Sequence, residues 1–161
     1  MQTETLSSTF IEKSFSDIVP IHEWGEAIKA GRFQDVDSWL TPENTKLIKR
    51  EPAPVNPSQF SVINFGKDLI MENVFEEIKK MNHVPGLASE LLGYLALHPE
   101  EEKLSPIVAP GSPFFDRYGL PSLLCFSLIE GKRSLFLACT HNAKGKDRVF
   151  DGRFRFLVKT A

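Results

Sequence analysis

The sequence predicts an α+β fold: a helical N-terminal third, then helices packed on a mostly antiparallel β-sheet. Three observations carry this expectation. Apolar residues recur at helical spacing through the first fifty residues. Two apolar runs, 123–129 and 133–140, are separated only by Glu130, Gly131 and Lys132, the pattern of a hairpin. Between these regions the stretch REPAPVNPSQ (50–59) carries three prolines, which exclude both a regular helix and a central strand. The expected organisation is therefore a helical region over 1–50 and an α+β domain over 60–161, with the boundary inside 50–59.

Phe10, Ile11, Phe15 and Ile18 fit a first helix. Ile21, Trp24, Ala27 and Ile28 form the stripe of a second, which Gly31 closes as a C-cap. FQDVDSWL predicts a short helix burying Phe33, Val36, Trp39 and Leu40. Thr41-Pro42 reads as an N-cap followed by proline at the first helical position. FSVINFG predicts a short strand. In KDLIMENVFEEIKKMN, one side holds Leu69, Val74, Phe75, Ile78 and Met81. The opposite side is charged, with Glu76 and Lys80 spaced as an i, i+4 pair. A helix over 87–97 buries Leu87, Leu91, Leu92 and Leu95, and Glu100, Glu101 and Glu102 read as a solvated turn. PIVAPGSPFFDRYGLPS reads as a short strand and a proline- and glycine-rich loop. The two hairpin runs are apolar on both faces and so read as central strands. In the last strand Phe154, Phe156 and Val158 alternate with Arg153, Arg155 and Lys159. That pattern predicts one buried and one wet face, with cations that deter edge pairing.

A chain of 161 residues with 42% apolar content can bury a core without a metal or disulfide. The net charge of −2 divides unevenly. Residues 131–161 hold eight Lys/Arg against Asp147 and Asp151, a local net of +6, and the first 130 residues carry −8. The asymmetry fits either an anion-binding surface or two faces of one domain that neutralise each other. MQTETLSSTFIEK lacks a basic start followed by an apolar run, so no signal peptide is read. No apolar run approaches the roughly 20 residues of a membrane helix. With two cysteines, the chain reads as a cytoplasmic protein without a disulfide framework.

Motif spacing argues against most local chemistries. His22, His83, His98 and His141 show no metal-ligand spacing, and DVDSWLTPE lacks the glycine of a calcium loop. Ser112 in APGSP is not in a G-x-S-x-G elbow. Cys139 and His141 share a strand face roughly 7 Å apart, too far for a thiolate–imidazolium pair. A three-residue turn would set Cys125 opposite Leu137 and Cys139 opposite Leu123, a diagonal that disfavours a bridge. PGLAS and GKDRVFDG match no phosphate loop. No cofactor and no metal are implied.

What is left is CTHNAKGKDRVFDGRFRFLVKTA, whose cations supply the candidate ligand-binding residues: Arg133, His141, Lys144, Lys146, Arg148, Arg153 and Arg155. A basic sheet face with interleaved aromatics can hold single-stranded nucleic acid, but the alternation turns Phe154 and Phe156 inward and away from such a role.

The stretches HVPGLASELL, PIVAPGS and GRFRFLVK give residues 60–161 a resemblance to C-type-lectin-like modules and to small bacterial proteins that share that fold. The resemblance implies ligand binding by the late loops, 111–119 and 141–152. The Glu-Pro-Asn, Gln-Pro-Asp and Trp-Asn-Asp signatures and the paired cysteines of secreted members are absent, so calcium-dependent sugar binding is not implied.

The leading expectation is a non-enzymatic binding or interaction module that uses the late loops and the basic C-terminal face, with a protein or anionic ligand as partner. The alternatives are a small enzyme with a site assembled from distant residues, and a single-stranded nucleic-acid binder. No membrane partner is expected.

Overall fold

In the computed structural model the described residues are 10–52, 59–100 and 105–161. The remainder of the proline-rich boundary (53–58), Glu101 and Glu102 of the expected acidic turn, and the first nine residues lie outside them. Element order is β1 (Phe10–Phe15), α1 (Trp24–Gly31), β2 (Asp35–Val36), α2 (Lys46–Lys49), β3 (Phe60–Asn64), α3 (Met71–Lys80), β4 (His83–Pro85), α4 (Ala88–Leu97), β5 (Ile107–Phe115), β6 (Pro121–Ile129), β7 (Lys132–Cys139) and β8 (Arg155–Thr160).

These strands make one mixed sheet in the order β1-β3-β8-β5-β6-β7-β2, and β4 also pairs with β8. β5–β8 and β2–β7 are parallel and the other pairs antiparallel. The expected architecture is thereby corrected. The N-terminal third is not helical: FIEKSF is strand β1, hydrogen-bonded to β3, and Asp35–Val36 of the expected FQDVDSWL helix pairs with β7. Nor do helices sit on an antiparallel sheet, because the sheet is mixed and has an apolar cluster on each face. One cluster packs Trp24, Ala27, Ile48, Leu91 and Tyr94 against Leu124, Phe126 and Leu157. The other packs Val74 and Ile78 of α3 against Val108, Cys125, Phe156 and Val158.

Helical periodicity reports correctly where a helix covers the sheet. α1 buries Trp24 and Ala27, α3 buries Val74 and Ile78, and α4 buries Leu91, Leu92 and Leu95. Phe75, expected inside, is 41% exposed. Arg32, not Gly31, takes the left-handed conformation after α1, at φ 52°. Lys80 pairs with Glu77 rather than Glu76. Thr41 Oγ1 accepts the Asn44 N–H, a capping contact in the turn that leads into α2.

The β6–β7 turn is one residue shorter than expected. Glu130 and Gly131 have φ of 52° and 76°, the two left-handed positions of a type I′ turn. Cys125 then faces Phe136, and Cys139 faces Ser122. Both thiols are free.

The largest correction concerns β8. It is not an edge strand with a wet face. It lies between β3 and β5, with β4 continuing alongside its end. Residues 155–158 are all buried, Arg155 among them, and its guanidinium Nη2 donates to Ser105 O. Phe154 and Phe156 are buried as expected. Among the described residues no helix is long and apolar enough to cross a membrane.

Candidate functional site

β5 carries two prolines and a glycine within APGSP. Proline cannot donate to a ladder, so the strand cannot stay paired through this stretch. Ala109 pairs with Leu124 and Phe114 with Ser122, which leaves four residues of β5, 110–113, opposite Leu123 alone. The surplus bows β5 away from β6, a bulge that re-aims the chain. It bows toward the β4–α4 corner, where Gly111 N–H donates to Gly86 O at 2.8 Å. A Cβ on Gly111 would stand 2.8 Å from Gly86 O and 2.9 Å from Pro85 O, so the close approach requires glycine.

A groove of about 890 Å³ opens at this bulge. Its walls are Met71, Glu72 and Phe75 of α3, Val84, Pro85 and Leu87 of the β4–α4 corner, Pro110, Gly111 and Pro113 of β5, and Pro121, Ser122 and Leu123 of β6. Pro52, Thr140, His141, Asp147 and Lys159 complete it. The lining is mainly apolar; its polar side chains are Lys159 at one end, Thr140, His141 and Asp147 at the other, and Glu72 and Ser122 on the walls between.

At the β8 end stands Lys159. Its Nζ lies 3.0 and 2.9 Å from the two carboxylate oxygens of Glu90, which is fully buried. Glu90 Oε1 also accepts the Leu87 N–H at 2.8 Å and so caps the start of α4. The next two amides of α4 are held as well. Ala88 N–H donates to Ser112 Oγ, Ser89 N–H donates to Glu51 Oε1, and the Ser112 hydroxyl donates to Glu51 Oε2. This network ties the bulge to the helix behind the groove.

At the β7 end Asp147 Oδ1 lies 3.0 Å from His141 Nε2, and His141 Nδ1 lies 2.9 Å from Thr140 Oγ1. With the proton on Nε2, the ring donates to Asp147 and Nδ1 is an acceptor for the Thr140 hydroxyl, which also has Pro121 O within reach at 3.3 Å. Asn142 Oδ1 accepts the Lys144 and Lys146 N–H groups and shapes the loop that carries Asp147.

The two thiols are not activated. Burial first, with the Asp116 carboxylate beside it, pushes the Cys139 thiol up despite the Ser122 hydroxyl. Burial likewise raises Cys125. Partial burial works to raise Asp116, but the Leu120 and Tyr118 N–H groups, Cys139 and Arg117 outweigh it and hold the carboxyl below the usual range. The Arg153 side chain and N–H hold Asp151 low in the same way. Among the described residues no three His, Cys, Asp or Glu gather as a metal site.

The expected cationic surface is split. His141 lines the groove. Lys144, Lys146, Arg148 and Arg153 are exposed on the adjoining β7–β8 connection. Arg148 lies over Phe150 and Phe154, and Arg153 pairs with Asp151. Arg133 and Arg155, expected at the surface, are buried: Arg133 bonds the C-terminal ends of α1 and α4, and Arg155 sits in the central strand. Sequence reasoning missed Thr140, Asp147, Lys159 and Glu90. The signal for the groove was present in APGSP, where three ladder-breaking residues interrupt an apolar run.

No protein-family model, no curated protein and no solved structure matches this chain.

Proposed function

We propose that this protein is a binding module whose ligand is a small amphipathic molecule seated in the groove at the β5 bulge. The observation that carries the reading is an apolar cavity of ligand size with hydrogen-bonding groups at its two ends. The late loops expected to bind ligand, from their C-type-lectin-like resemblance, contribute Gly111, Pro113, His141 and Asp147 to the lining. The exposed cations of the β7–β8 connection lie beside it and suit an anionic ligand better than a stacked nucleic acid, since Phe150, Phe154 and Phe156 are buried.

The test is an environment-sensitive anilinonaphthalene sulfonate dye. Its emission is expected to rise and shift to the blue with the folded protein. Phe75→Gln, on the partly exposed outer wall, is expected to weaken dye binding about fivefold to tenfold, the loss of one aromatic contact. A folded wild-type protein that leaves the dye unchanged removes the reading.

A second reading, a small hydrolase, has one observation in its favour: the Asp147–His141–Thr140 chain has the order of orienter, base and hydroxyl nucleophile. Thr140 Oγ would attack an ester carbonyl and pass its proton through His141 Nδ1 to the leaving alcohol, and water would then release the acyl group. This reading predicts release of p-nitrophenolate from a p-nitrophenyl ester above the buffer rate, lost in Thr140→Val. Equal rates for the two proteins count against it.

A further inference from the structure

Resting on the groove reading, we infer that the ligand is a monocarboxylate with an apolar tail, its carboxylate held by the Lys159 ammonium at the β8 end. Glu90 is fully buried, and both its oxygens are already engaged by Leu87 N–H and Lys159. It lies behind Lys159, outside the lining, whereas Lys159 lines the groove. An ammonium has three N–H donors and no acceptor, and the two oxygens of Glu90 occupy two of them. One donor is left over, on a side chain that lines the groove and is fixed in place by its buried partner. A ligand group meeting this end therefore has to accept a hydrogen bond, and an anion gains most from a charge-assisted one.

The acidic lining residues stand elsewhere. Asp147 belongs to the loop after β7 and pairs with His141. Glu72 is in the first turn of α3, just beyond Leu69, which bridges to Phe150 of the β7–β8 connection. The order β8-β5-β6-β7 places Thr140 on the order of 15 Å from Lys159, at about 4.8 Å per strand. Between them lie Leu123, Pro113, Pro110 and Val84, which offer apolar surface to a hydrocarbon tail. Head and tail thus have separate places: the carboxylate is kept away from Asp147 and Glu72, and it shares the Lys159 ammonium with Glu90.

The experiment is calorimetric titration of the whole chain with decanoate, decanol and decylamine. Decanoate is expected to bind at least tenfold more tightly than either of the others. In the double variant Glu90→Gln with Lys159→Met, which leaves no unpaired buried charge, that preference should collapse to within about twofold. Lys159→Arg should keep it, and this variant decides the matter if the double variant fails to fold. Decanol binding as tightly as decanoate overturns the carboxylate inference while the groove reading stands. If none of the three binds and the dye is also unaffected, the groove reading fails with it.

Discussion

Arg133→Met is expected to lower stability by about 3 to 5 kcal/mol and the melting temperature by about 10 °C, measured by thermal and urea denaturation. The side chain is 7% exposed. Its Nε donates to Gly31 O at 2.9 Å, Nη2 to Leu95 O at 3.0 Å, and Nη1 to His98 O and Pro99 O at 3.1 and 3.3 Å. Gly31 ends α1, and Leu95 to Pro99 is where α4 ends, so one guanidinium supplies donors to the orphan carbonyls of two helices. α4 has no basic residue in its own last turn, and Arg133 brings the complementary charge from β7. The group also lies over Phe126 and Phe33, at 4.9 and 5.5 Å from the ring centroids. Methionine fills much of the volume but leaves these carbonyls without donors, at about 1 to 3 kcal/mol for each that water cannot reach. Lysine, a point charge, cannot span the same acceptors. Arg133→Lys should therefore recover less than half of the loss. Full stability in either variant would refute the double-capping role.

The misplacement of Arg133 in the sequence reading illustrates what one-dimensional patterns carry. α1, α3, α4 and the β6–β7 hairpin were legible, because each buries one stripe or a long apolar run and the period reports it. β1 was misread because Phe10, Ile11 and Phe15 fit a helical spacing as well as a short strand, and only pairing with β3 decides. β8 was misread for a different reason. RFRFLVK alternates like an amphipathic edge, yet Arg155 and Lys159 have polar partners on the α4 side of the sheet and nearby, in Ser105 O and Glu90. A cation with a fixed partner can occupy a buried position, and no periodicity records the partner. The groove escaped notice for the same reason. His141 and Asp147 are six positions apart, but Lys159 and Glu90 are separated by sixty-nine and meet only because β8 is central.

Gly93→Ala is expected to destabilise the protein by about 3 kcal/mol, although alanine is the better helix former by about 1 kcal/mol. Gly93 lies within α4, on the side that meets the segment before α1. A Cβ there would stand 2.1 Å from Val19 O and 2.9 Å from Val19 C, both backbone atoms that cannot swing aside. The segment is pinned on either side of the contact: Ile18 is buried, and Ile21 N–H donates to Ser89 O at 3.0 Å. Relief of the clash must lift it from α4 and expose Ile18 and Ile21, at roughly 25 cal/mol for each Å² uncovered. Gly25→Ala supplies the opposite sign within the same measurement. Gly25 lies in α1 with nothing within 4 Å of a would-be Cβ, so only the conformational term acts, and stability should rise by about 0.4 to 1 kcal/mol. The two substitutions are chemically identical, so a difference in sign in thermal denaturation isolates the packing of the N-terminal segment on α4. Equal shifts would mean that this segment does not rest on the helix.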